Sequence, residues 1–248
     1  MARALVDPPR GRGYITDPIV IIFPPMTRSP TLEAPPRQRR KEARPQELLD
    51  AALELFGEKG FAATRTDDVA ERAGVSKGTL YLYYPSKEEL LKAVIAHFLS
   101  ARIAAGAALV AGHQGPVAGL LRRMLTQWWS ELYDSPASGV FKLVITEVRN
   151  FPEIAQFYIH EVVEPAHRLL GQAIVAGIER GEFRRVDVDD AVHSLVLPLI
   201  MLCLHRDSLG ACTADWRIDP KRFIRAHVNL VLDGLILPQH ATESETLP

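Results

Sequence analysis

Cysteine is scarce in this chain. Cys203 and Cys212 are the two in 248 residues, too few for a disulfide framework and without metal-site spacing. They fit a reduced, cytoplasmic protein, with a redox link between them as the alternative. Long apolar runs are missing too. The longest uncharged one, 195–204, has ten residues and contains Pro198, about half of the ~20 needed to cross a bilayer. The apolar run 19–23 has five residues, short of the ~7–15 of a secretory signal, and Pro24-Pro25 ends it. No signal peptide and no membrane partner are expected. Charge of one sign is not in excess: the formal net charge is −1, so any affinity for nucleic acid must come from a local patch. There is no glycine-rich phosphate loop, no G-x-S-x-G and no nucleophile with a recognisable base. No catalytic residue, enzymatic activity or cofactor is expected. His160-Glu161 with Glu164 and His167 falls short of H-E-x-x-H, because the fourth residue on from His160 is Glu164. Those residues read as a surface ion-pair network. Asp189 and His193, four apart, fit a cap and a satisfied histidine as well as a metal pair. No metal site is expected.

Apolar residues make up 47% of the chain, enough for a real core. They recur at helical spacing, with no strand signal and no solenoid repeat, so an all-α fold is expected. Residues 1–36 hold eight of the eighteen prolines and no helical period, which predicts a disordered extension. Met26 is a possible alternative start. Residues 37–44, RQRRKEAR, hold five basic residues and one acid. A flexible basic arm there, with Arg39, Arg40 and Lys41, could lie along a phosphate backbone or reach a minor groove. A first helix is expected from Pro45 to Lys59, with Leu48, Ala52, Leu55 and Phe56 as its inner stripe.

The stretch 64–87 reads as two short helices and the start of a third. Thr66 is a candidate N-cap, with Asp67 and Asp68 in the positive first turn. Gly74 breaks that helix, Ser76 caps the next, and Pro85 stops it. Ser86 caps a third helix with Glu88 and Glu89 just inside. The middle helix, Lys77-Gly78-Thr79-Leu80-Tyr81-Leu82-Tyr83-Tyr84, is odd for a core element. Leu80 is its natural anchor, helped by Leu82 or Tyr84, and the rest face outward. Short polar tips, a cation and a glycine suit a helix end pushed into a major groove. The bland alternative is a helical hairpin with surface tyrosines.

The run Ala73-Gly74-Val75-Ser76-Lys77-Gly78-Thr79-Leu80-Tyr81, then Tyr83-Tyr84 and Ser86-Lys87-Glu88-Glu89-Leu90, resembles the DNA-binding domain of the tetracycline-repressor (TetR) family. Ala51-Ala52, Leu55-Phe56, Lys59-Gly60-Phe61 and Thr64 to Val69-Ala70 extend the likeness. It covers about 44–98, roughly a fifth of the chain. Tyr84-Pro85 departs mildly, since the family more often has Phe followed by a small or polar residue.

The resemblance implies a helix-turn-helix DNA-binding domain over 45–99, its motif at about 65–84, and a larger helical domain over 100–237 for effector binding and dimerisation. A polar, flexible tail follows over 238–248. It implies DNA contacts by Ser76, Lys77, Gly78, Thr79, Tyr81 and Tyr83, and phosphate contacts by Thr66 and Lys87. The last two helices would pair with those of a second subunit. The first of them, about 188–207, is apolar on nearly every side and reads as buried all round. A two-fold homodimer would bind a near-palindromic operator with half-sites about 34–36 Å apart. The helix after 152 should bend near Pro165, and that of 188–207 near Pro198. Met124, Trp128, Trp129, Phe141, Phe157, Tyr158 and Met201 are candidates for a ligand pocket, though aromatics at helical spacing are more often core. The expected function is a transcription regulator, a repressor released by a small, largely apolar ligand. The alternatives are an activator of the same fold, or a helical interaction protein without ligand response.

Overall fold

The computed structural model describes residues 36–147, 150–207 and 218–238. The expected proline-rich extension, Cys212 and the tail from 239 on lie outside the described residues. So do the side chains of Arg39, Arg40 and Lys41.

The N-terminal head begins with α1 (Pro36–Lys59), α2 (Thr66–Arg72) and α3 (Lys77–Tyr83). α1 is longer than expected. The basic segment is its first two turns, and Pro45 lies inside the helix rather than opening it. Arg, Gln, Lys and Ala are good helix formers, and the proline removes only one donor. α1 packs Leu48, Ala52, Leu55 and Phe56 into the core, each at most 2% exposed. Gly60 (φ 80°) and Gly74 (φ 67°) take the left-handed turns that end α1 and follow α2.

A long rod follows. α4 (Lys87–Ile95) and α5 (Ala101–Gly112) are joined without a break by a π-helical turn, Ala96–Ser100. α6 (Val117–Asp134) and α7 (Gly139–Glu147) come next. The helix expected to bend near Pro165 is divided there into α8 (Pro152–Tyr158) and α9 (Glu164–Glu179), with a second π turn at Ile159–Val163. Proline cannot donate in the i→i−4 ladder, and a wider turn just before it absorbs the mismatch. α10 (Val188–Asp207) keeps Pro198 inside an unbroken helix, and α11 (Pro220–Leu235) closes the domain. The fold is all-α. Among the described residues the β pairing is a lone bridge, Phe183 to Ile236.

Two expectations about apolar helices change. Counting uncharged runs found nothing near bilayer length, yet the rods Lys87–Gly112 and Val188–Arg206 reach it by length and mean hydropathy. Isolated charges, not stretches of polarity, interrupt them: Arg102 sits in the first, 6% exposed and paired with Glu131 at 2.9 Å. Each rod has one face packed within the protein, as core helices do. α10, read as buried all round, is buried on one side only in the single chain. Leu197 is 56% and Met201 60% exposed, while Leu195, Leu199, Leu202 and Cys203 are buried.

Candidate nucleic-acid interface and effector cavity

α3 is held to the protein by one fully buried side chain, Leu80, a burial that stabilises by about 1.5–3 kcal/mol. Half-buried Tyr83 and Tyr84 pack against the same core, so Tyr84 is the helper. Leu82, the other candidate, is 79% exposed. Leu82 is two positions on from Leu80, which places them on nearly opposite sides of a helix.

The start of α3 is capped as expected: the Thr79 amide donates to the Ser76 hydroxyl at 3.2 Å. The two hydroxyls are also 2.9 Å apart. Ser86 caps α4 in the same way, accepting from the Glu89 amide at 3.1 Å. Thr66 differs from expectation. The N-cap position of α2 belongs to Arg65, which makes no side-chain cap, and Thr66 lies in the first turn. Its hydroxyl is 3.0 Å from that of Tyr81, tying α2 to α3. Lys77 donates to Asp67 Oδ2 at 3.1 Å, and that hydrogen bond holds the lysine pKa above its usual value. Ser76, Lys77, Gly78, Tyr81 and Leu82 are exposed on one surface, with Thr79 half-buried beside them.

Lys87 was expected on a phosphate. Here its ammonium donates to the carbonyls of Phe61 at 2.8 Å, Thr64 at 3.0 Å and Ala62 at 3.1 Å. It also lies 4.6 Å from the centre of the Phe61 ring. An ammonium has three donors, and all three serve the loop between α1 and α2.

Behind the head, α5, α6, α7, α9 and α10 enclose a cavity of about 350 Å³. Of the pocket candidates, Met124, Trp128, Trp129, Phe141 and Tyr158 line it. Phe157 and Met201 do not. Phe157 is half-buried with Lys92 over its ring at 6.0 Å, and Met201 faces outward. Burial pushes the Tyr158 hydroxyl up to about 12, so it is a neutral phenol at any physiological pH. The indole N–H groups of Trp128 and Trp129 are buried without a hydrogen-bond partner. Sequence reasoning missed Arg102, His167 and His193, which also line the cavity. A lone arginine in an otherwise apolar helix was the available signal. His167 pairs across to Asp189 at 3.2 Å, and His160 with Glu164 at 3.3 Å. Among the described residues no group of three or more His, Cys, Asp or Glu could hold a metal.

Residues 48–94 match the bacterial regulatory proteins of the tetR family, and residues 111–216 match the tetracyclin repressor-like C-terminal domain. The uncharacterized HTH-type transcriptional regulator YfiR of Bacillus subtilis is 30% identical over 151 residues, 60% of this chain and 72% of that one. The chain belongs to the TetR family. It is thus a DNA-binding transcriptional regulator with a helix-turn-helix head. The HTH-type transcriptional repressor KstR2 of Rhodococcus jostii is 29% identical over 202 residues, 81% of this chain and 95% of that one. In fold, the chain is similar to FadR from Bacillus subtilis, solved in complex with stearoyl-CoA. That likeness has a TM-score of 0.61 and 20% identity, and covers 76% of this chain and 98% of that one.

Proposed function

We propose that this TetR-family regulator is a homodimeric repressor that leaves its operator when a largely apolar small molecule fills the cavity. The observation that carries the reading is continuity. One rod, Lys87–Gly112, bears the DNA head at its start and contributes Leu99, Arg102, Ile103 and Gly106 to the cavity wall further on. A ligand that moves this wall moves the head, and the π turn Ala96–Ser100, which supplies Leu99 to the wall, lies on that path. Such turns often occur at functional sites in helices.

At about 350 Å³ the cavity is at the small end of the roughly 300–1,000 Å³ usual for small-molecule sites. Its wall is mostly aliphatic and aromatic, and Arg102 is already paired with Glu131. This favours an apolar effector over a highly charged one. The stearoyl chain of the stearoyl-CoA in the Bacillus subtilis FadR structure shares that apolar character, whereas its phosphate-bearing CoA part does not. Ser76, Lys77, Gly78, Thr79 and Tyr81 are the proposed DNA contacts, with Thr66 and Tyr83 at the margin and Arg39, Arg40 and Lys41 on the backbone. Lys87 is proposed as a brace for the loop before α2. Dimerisation through α10 and α11 would set two heads on successive major grooves. The ligand must prefer the non-binding state by about 5.5 kcal/mol to move the balance from 1:99 to 99:1.

The test is footprinting of the DNA beside the protein's own gene, with and without stearoyl-CoA and uncharged lipophilic compounds. Protection that disappears with one of these supports the reading. Protection that none of them alters leaves a regulator without this release mechanism.

A further inference from the structure

At 3.6 residues per turn, the residues two before and two after Leu80 stand about 160° around the axis from it. They are Gly78 and Leu82, and they form the outer crest of α3. Leu82, at 79%, is the most exposed of the large apolar side chains described. A Cβ added at Gly78 would meet only the Ser76 hydroxyl, at 3.8 Å, so nothing inside the protein requires glycine there. The polar side chains flanking the crest are engaged: Lys77 with Asp67, Thr79 with Ser76, and Tyr81 with Thr66. Leu82 is absent from the side chains packed on the core.

Leucine can neither donate nor accept a hydrogen bond. In a major groove, one base-edge group offers it an apolar contact: the C5 methyl of thymine. We propose that Leu82 reads a thymine methyl in each half-site, with Gly78 allowing the backbone to approach. This rests on α3 being the groove helix, and it adds a base preference that hydrogen bonding alone would not give. A second protein docking on the same leucine is the competing account.

The experiment uses duplex selected by the wild-type protein from a random-sequence pool. Each thymine of a half-site is replaced in turn by deoxyuridine, which removes only the methyl. One position per half-site should weaken binding about fourfold, the worth of one buried methyl. In Leu82→Ala that penalty should vanish while the Leu80-anchored fold keeps its melting temperature. Indifference to every such replacement, or an undiminished penalty in Leu82→Ala, overturns the proposal and leaves the DNA-binding reading standing. Failure to select any duplex overturns both.

Discussion

At the scale of single residues, two side chains decide how the head is built. Lys87 makes three charge-assisted bonds to carbonyls of the α1–α2 loop. Hydrogen bonds to charged groups contribute about 1.5–3 kcal/mol, and Lys87 is partly exposed, which pulls its worth toward the lower figure. Lys87→Ala should therefore lower the urea midpoint by the equivalent of about 1–2 kcal/mol. The slope of log affinity against log salt should stay as it is. A slope that flattens by one phosphate's worth would return Lys87 to the phosphate contacts. Tyr81 works from the other side of the motif. Its hydroxyl meets Thr66, and its ring faces the cation of Lys77 at 5.9 Å. Tyr81→Ala should abolish operator binding in a gel-shift assay while sedimentation still gives the wild-type mass. Retained binding would mean that α3 is not the reading helix.

At the scale of elements, the proposed coupling of cavity and rod rests on α5 forming one wall and α9 another. Ala166 on α9 lines the space and is small. Ala166→Phe should occupy part of the cavity, weaken effector binding at least tenfold by tryptophan fluorescence, and leave operator affinity near wild type. Loss of operator affinity instead would show that filling alone mimics the effector. The helices themselves were legible where a residue has a local job. Ser76, Gly74 and Pro85 bound α3 because caps, positive φ and a missing donor act within one turn. The cavity wall was legible only in part. Trp128 and Trp129 could be named from bulk and spacing, but Phe157 and Met201 were misplaced because helix rotation is set by packing partners far along the chain. The π turns left no mark in the hydrophobic period, and only Pro165 hinted at the second. Arg102 hid in an apolar helix because its partner Glu131 is 29 residues away.

At the scale of the whole molecule, the question is what covers the far side of the last two helices. Leu197 and Met201 stand exposed on α10, and Leu230 on α11 is 75% exposed. Leu197 also borders the cavity, so it is a poor choice for separating assembly from ligand binding. Met201 and Leu230 line neither the cavity nor the head. Each buried apolar side chain of this size is worth about 1.5–3 kcal/mol, and a two-fold interface uses every residue twice. Met201→Glu with Leu230→Glu would place four carboxylates in such a contact. The double variant should sediment as a monomer at micromolar concentration, with the helical circular-dichroism signal retained. Its operator affinity should fall by about 10²–10⁴, because the second half-site is no longer engaged at a high effective concentration. Binding to an isolated half-site should be unchanged, since the head is untouched. A variant that remains dimeric would move the interface off this face, and one that is monomeric yet binds the full operator normally would remove the symmetric pair from the recognition mechanism.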